Sequence, residues 1–435
     1  MEVFSVDCGF VAYSQINTRK LDIHQHPYLP SGEFMSTISD LKAKVIAEID
    51  SLTPYLIKMS NTVHSNPEIG YQEFKTSKLY CDALSKFGFS VTHGISGMET
   101  AFKALYKGKS DAPTVALLAE MDALPGLGHA CGHNIIGTAA VGAGIALSKL
   151  MREVPGTLVV FGTPAEEAAV DNACGKPRML DEIKVADAAM MVHPGVKNTV
   201  KTLNVCREAM IFKFFGKAAH AGGSPHLGVN ALDGVLNTFN MINALRQHVR
   251  MDVRIHGIVS RGGNSPNIVP EYAEMRLYVR AIDPAYLEET VEKVKNCARG
   301  AALGTGTKVE IGTTATRDLN MVSNPTLANL FARNWESLGV KVEEVKERGY
   351  GSSDMGDVCQ VIPGLHPTVA IAPEGTAGHS VAFREAARSE KGNEGLILAC
   401  KGLAMTALDL FTRPNQVQKM KKDFQDFKEG RWTDY

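Results

Sequence analysis

The sequence predicts an α/β catalytic domain with a mostly parallel sheet, interrupted by an inserted α+β domain of ferredoxin-like order. Three observations carry this. Short apolar runs alternate with helical periods on both sides of the chain's middle, the mark of a parallel sheet covered by helices. Between about residues 207 and 316 that alternation gives way to strand, helix, two strands, helix, strand. The length, 435 residues, suits two domains better than one.

Residues 1–34 show no period and are expected to be a disordered or dispensable extension. Helical spacing begins after Met35: Thr37-Ile-Ser-Asp40 has the form of a capping box, and Leu41, Val45, Ile46, Ile49, Leu52 and Leu56 follow it. Thr114–Ala119 reads as a buried strand, Asn134–Leu150 as a buried helix, and Thr157–Phe161 and Ala188–Val192 as further strands. This is the first part of the catalytic domain, residues 35–206. The insert, 207–316, opens with strand Ala209–Phe215. Its first helix is marked by Val229, Leu232, Val235, Leu236, Phe239, Ile242 and Leu245. Strands at Val253–Val259 and Ala273–Val279, a charged helix over Tyr286–Ala301 and a strand at Lys308–Ile311 complete it. Catalytic character resumes over 317–435 with helix Pro325–Leu338, strand Thr368–Ala372 and helix Glu394–Leu410. No internal repeat or low-complexity segment interrupts this order.

Composition excludes several classes. Hydrophobic residues make up 44 % and charged residues 21 %, so a sizeable core can form, and the formal net charge of -1 offers nothing to nucleic acid. No apolar run is read as reaching the roughly 18 residues of a membrane span, and the start lacks the charge order of a secretory signal. The eight cysteines are scattered without a CxxC pair, which is no disulfide framework. A reducing, cytoplasmic setting follows as the expectation.

The chemistry gathers near strand ends, where α/β sheets place ligands. Strand 114–119 runs into Glu120-Met-Asp122 and on to Cys131-Gly-His133. Strand 157–161 leads to Pro164-Ala-Glu-Glu167, strand 188–192 to His193, and strand 368–372 into the loop that holds His379. A buried cysteine is ordinarily a small core residue, a single histidine a hydrogen-bonding partner, and paired glutamates a solvated face. In combination the groups say more. Cys-Gly-His on a glycine-loosened loop can turn a thiolate and an imidazole toward one ion. With carboxylates and further histidines the donor set suits zinc and tolerates manganese or cobalt.

These residues resemble the aminoacylase and glutamate-carboxypeptidase family of dinuclear metallopeptidases, in its cysteine-containing amidohydrolase branch. The nearest group holds p-aminobenzoyl-glutamate hydrolase and Xaa-Arg type dipeptidase. The resemblance rests on Met121–Asn134, with support from His64–Gly70, Pro164–Glu167, Ala219-His-Ala221, Asn267–Pro270, Ser352–Gly356 and Gly378-His379, and runs from about Met35 to about Leu410. It implies a zinc-peptidase catalytic domain and a lid or dimerisation insert. Two divalent ions per chain are implied, zinc foremost, bridged by Cys131 and completed by His133, Glu167, His193 and His379. Glu166 would be the general base and Asp122 would orient a ligand from behind. His220, Asn267 and Arg280 would bind substrate, with His220 reaching a partner subunit's site in a homodimer. Two departures stand out. Glu120-Met-Asp122 replaces the family's His-x-Asp, so Glu120 is left out of the metal shell. Asn134 follows Cys-Gly-His where many relatives carry Asp, which favours the dipeptidase and p-aminobenzoyl-glutamate group.

The implied reaction is hydrolysis of the amide bond of a small N-acyl amino acid or dipeptide by a metal-activated water. Glu166 moves the proton, His220 stabilises the oxyanion and Arg280 grips the substrate carboxylate. Two other readings stay open at this point. One is a catalytically silent metal-binding or chaperone-like protein. The other is a hydrolase with Cys131 as nucleophile, which needs none of the extra carboxylates.

Overall fold

The apolar runs have no polar side because both faces of their sheet are covered. In strand Thr114–Glu120, Val115, Leu117 and Ala119 enter one core cluster while Ala116 and Leu118 enter another on the opposite face. The computed structural model describes residues 31–167, 169–345 and 349–432. Its central sheet contains β1 (Ser90–His93), β2 (Phe102–Lys107), β3 (Thr114–Glu120), β4 (Thr157–Thr163) and β5 (Ala188–Met190). A late strand, Gly364–Leu365, joins the far edge beside β5. The order is β1-β2-β4-β3-β5 and then that late strand. The pairs from β4 onward are parallel, whereas β1 and β2 run antiparallel. A small parallel pair, β6 (His193–Gly195) with Thr368–Ala370, extends the end where the chemistry lies.

Helix His133–Ser148 is buried along its whole length between the sheet and helices Ser31–Ser65 and Glu390–Thr412. Its small residues allow the close approach. A Cβ on Gly137 would lie 2.5 Å from the carbonyl oxygen of Glu120. The helix Glu390–Thr412 corrects the membrane reading of the sequence, since it is long and apolar enough to cross a bilayer. It is instead mostly buried in this core.

The insert forms its own four-stranded antiparallel sheet. β7 (Cys206–Phe215), β8 (Arg254–Arg261), β9 (Tyr272–Ala281) and β10 (Lys308–Thr313) take the order β10-β7-β9-β8. Helices Ala231–Leu245 and Pro284–Thr305 cover one face. The second starts where Asp283 accepts a hydrogen bond from the N–H of Ala285 and Pro284 presets the first turn, and it ends on left-handed Gly306. The other face carries Arg207, Tyr278 and Arg280.

Two crossings join the units, and they pair with each other. Arg207 and Asp318 exchange both backbone hydrogen bonds at 3.0 Å, and their side chains form a buried ion pair at 2.7 Å. Thr314 donates to Ala209, while Asn172 donates to Thr314, so the loop after Glu167 belongs to the same ladder.

The chain start differs from expectation. Helix Ser31–Ser65 runs through Thr37–Asp40, so those residues lie inside the helix and do not open it, and residues 31–34 belong to it. The rest of the expected extension, 1–30, lies outside the described residues. The last residues form helix Pro414–Lys428, anchored by buried Met420 and by Asp423, which accepts from the N–H and hydroxyl of Thr326.

Candidate metal centre

Three turns bring the site together, and their backbones are unusual. Gly132 adopts φ 85° between Cys131 and His133, and a Cβ there would lie 2.7 Å from Pro194. That conformation directs both neighbours inward. Ala165 and His379 are non-glycine residues in the left-handed region, at φ 56° and 55°. Such conformations persist only where the surroundings hold them. For Ala165 the holder is buried Glu73, which accepts its N–H at 2.9 Å. His379 donates its own N–H to the carbonyl of Ala130 at 3.1 Å.

The side chains converge. Cys131 Sγ lies 3.3 Å from His193 Nε2, and His379 Nε2 lies 3.1 Å from Glu167 Oε1. Two donor groups share Cys131, one with His133 and His193, the other with Glu167 and His379. Within each, the ligand atoms lie within 4.8 Å of one another. A metal fits this set by its donors and by its loose ends: His133 Nε2 is fully buried and hydrogen-bonds to no protein atom. The remaining ring nitrogens are fixed from behind. His193 Nδ1 meets the carbonyl of Pro194 at 2.7 Å and His133 Nδ1 meets Asp122 at 3.1 Å, which turns both Nε2 atoms to the centre.

Asp122 does more than orient His133. Its two oxygens also accept the N–H groups of Glu166 at 3.1 Å and Glu167 at 3.0 Å. One buried carboxylate thus joins the Cys-Gly-His loop to the Glu-Glu turn. Glu166 Oε2 stands 3.9 Å from His133 Nε2. Burial, together with Glu120, Glu167 and Asp354, pushes its carboxyl well above the usual range. Burial and Glu167 likewise push the Cys131 thiol up. For His133 burial works the other way, but Asp122 and Cys131 outweigh it and raise its proton affinity.

The three substrate candidates lie apart from this cluster. His220 and Asn267 sit on exposed neighbouring loops of the insert, where Ala221 donates to the Asn267 carbonyl at 2.9 Å and Gly223 donates to His220 Nδ1. None of their hydrogen bonds reaches the cluster among the described residues. Arg280, on the face of β9 that carries no helix, bonds to His256, Ser352 and the carbonyl of Tyr350, with no hydrogen bond to a carboxylate among the described residues.

Of the cluster's buried neighbours, sequence reasoning weighed Glu120 and left it outside the metal shell, and it missed Lys176 and His366. Glu120 is fully buried, with Oε2 3.4 Å from His133 Nε2. Its other oxygen accepts from Lys176, which also pairs with Asp354. His366 stacks 5.3 Å from the ring of His193. The Ser352–Gly356 string hinted at Asp354, but a single lysine or histidine carries no local signal.

Residues 116–390 match Peptidase family M20/M25/M40, and the chain belongs to that family. It is a hydrolase acting on peptide or amide bonds. It is 33 % identical to the Xaa-Arg dipeptidase of Mus musculus over 92 % of this chain and 96 % of that one. Against a p-aminobenzoyl-glutamate hydrolase chain of Escherichia coli K12 it is 36 % identical, over 58 % of this chain and 56 % of that one. Its fold matches that of a dinuclear metal-binding M20 peptidase of Bacillus subtilis with TM-score 0.61 at 22 % identity, covering 83 % of this chain and 99 % of that one.

Proposed function

We propose that this chain is a two-metal hydrolase of dipeptides and small N-acyl amino acids, with Cys131 shared between the ions. His133 and His193 complete one ligand set, Glu167 and His379 the other. The observation that carries the reading is the membership of Cys131 Sγ in both donor groups. Bound divalent ions lower the pKa of water from about 15.7 toward 7 and polarise the scissile carbonyl. The donor mixture favours zinc and also suits manganese or cobalt.

Glu166 is the base. It stands beside the cluster outside both Cys131 groups, so an oxygen is free to take a proton from water and return it to the leaving amine. Asp122 holds its backbone and is a positioning residue. Cys131 is no nucleophile: its thiol is pushed up, and a thiolate forms there only against a cation. That requirement also favours a reducing compartment such as the cytoplasm, since an oxidised sulfur could not ligate.

Arg280, with no hydrogen-bonded carboxylate of its own among the described residues, is suited to a substrate carboxylate, and Asn267 to its polar groups. His220 serves the oxyanion in a partner subunit's site. The dimer forms through the insert, where β8 is an edge strand with Ile258 and Val259 exposed. The names of the relatives direct the choice of substrates. The test is a hydrolysis screen of dipeptides ending in Lys or Arg, N-acyl amino acids and p-aminobenzoyl-glutamate, with zinc, manganese and cobalt supplied separately. About two metal ions per chain and loss of hydrolysis on chelation are expected. Full activity of metal-free protein refutes the reading.

A further inference from the structure

Beside the Cys131 groups lie two further gatherings of donors, one of His133, Glu166 and Glu167 and one made of carboxylates alone. Glu120, Glu166 and Asp354 each bring a carboxylate oxygen within 4.8 Å of the others. Two of them are fully or almost fully buried, Glu120 at 0 % and Asp354 at 1 % exposure. Three carboxylates so close in a dry interior repel one another strongly and need a cation. The chain supplies one. Lys176, itself 0 % exposed, places Nζ 2.5 Å from Glu120 Oε1 and in direct contact with Asp354 Oδ1. Its backbone N–H donates to the second oxygen of Asp354 at 3.0 Å. The cage therefore closes on the ammonium from main chain and side chain together.

A second observation ties the cage to the site. Glu120 uses only one oxygen on Lys176. The other, Oε2, is buried, without a hydrogen-bond partner, and aimed at His133 Nε2 at 3.4 Å. Glu120 stands one strand residue before Met121-Asp122, and a Cβ on Gly137 would strike its carbonyl oxygen, so its backbone has no room to retreat. Lys176 thus decides where the free oxygen points. The third wall is Glu166, the base.

We propose that the Lys176 ammonium is a resident cation that takes the place of a third metal ion and positions Glu120 against the Cys131 cluster, with Glu166 left as the unbonded wall of the cage. It is a positioning residue: it touches carboxylates and not substrate. It also sets the number of ions the protein holds. A divalent ion in the cage would recruit Glu166 as a ligand and take it from proton transfer. A tethered ammonium offsets part of the cage's negative charge while leaving Glu166 without a direct bond.

The proposal rests on the two-metal reading only for the role of Glu166, and its test is a difference from wild type. Full-length wild type, Lys176→Ala and the triple variant Lys176→Ala/Glu120→Gln/Asp354→Asn are equilibrated with manganese and freed of excess, and bound metal is counted. Lys176→Ala should carry about one more ion per chain than wild type, because the vacated space is polar and oxygen-lined. Its melting temperature should be depressed in chelator and recover with manganese by more than wild type gains. The triple variant should show neither effect. A Lys176→Ala protein with the wild-type ion count overturns the proposal. So does an extra ion bound equally by the triple variant, and so does a Lys176→Ala protein that stays unfolded in manganese. If wild type itself binds no metal, the two-metal reading fails, while the difference between the variants still decides this one.

Discussion

Asp122→Asn is the sharpest perturbation of this site, because three donors depend on two oxygens. His133 Nδ1 and the N–H of Glu166 both meet Oδ1 at 3.1 Å, and the N–H of Glu167 meets Oδ2 at 3.0 Å. Asparagine keeps the shape but offers one acceptor. Its better orientation keeps the oxygen at the Oδ1 position and turns the NH2 group against the N–H of Glu167. One charge-assisted hydrogen bond is lost and two donors face each other in a site that is 1 % exposed. A hydrogen bond to a charged group contributes about 1.5–3 kcal/mol, and an orphaned buried donor costs about as much again, so about 3–6 kcal/mol of stability should go. The Glu-Glu turn then loosens, and His133 loses the anion behind it. Loss of such an outer partner lowers metal affinity about 10–100-fold. Urea unfolding of the metal-free proteins measures the first quantity, and competition with a chromophoric chelator the second. An Asp122→Asn protein with wild-type midpoint and wild-type affinity would refute the clamp.

Three further outcomes are expected. Glu166→Gln should retain the metal content of wild type and lose several powers of ten in turnover, and an enzyme within about tenfold of wild type means another group moves the proton. Mixing inactive His220→Ala and Glu166→Gln subunits should restore about a quarter of wild-type activity once subunits exchange, since about half the dimers are mixed and each has one complete site of two; no recovery despite exchange places His220 in its own chain or outside the reaction. Burial, with Asp318 and Asp354 nearby, raises the Asp357 carboxyl from 3.8 to about 8. The folded state therefore binds the extra proton between those values, and stability falls as pH rises through that window. Asp357→Asn should accordingly gain melting temperature relative to wild type at pH 8.5 and lose that advantage toward pH 4; an equal difference at both ends contradicts the assignment.

The parts legible in advance were those written locally. Strand Thr114–Glu120 is a continuous apolar run between turn residues, and the β-α-β-β-α-β order of the insert is legible because its strands and amphipathic helices are written in consecutive stretches of chain. Cys131, His133, Glu166, Glu167, His193 and His379 stood out because motif strings and strand ends mark them. Other parts depend on distant partners. Lys176 meets Glu120 at a separation of 56 residues and Asp354 at 178, and no window of sequence joins them. Strand Ser90–His93 lies at the sheet edge and is mostly exposed, so it lacks an apolar period. Helix Phe74–Lys86 has no side-chain cap of its own; Glu68, upstream of it, accepts the N–H groups of Lys75 and Thr76. The capping-box form at Thr37 misled because the helix had already begun.

The ladder at the crossings limits how the two units can move. Two independent linkers would let the insert tumble, but here both strands of the crossing are stitched together at Arg207 and Asp318, and shearing them would expose a buried ion pair. Any displacement that preserves this stitch is a swing about a single line, like a door on its pin. Asn172 and Ala173 share the same stitch through Thr314 and Thr316, only a few residues beyond Glu167. The pin therefore lies only a few residues along the chain from the turn that carries Glu166, a turn that Asp122 holds to the catalytic domain.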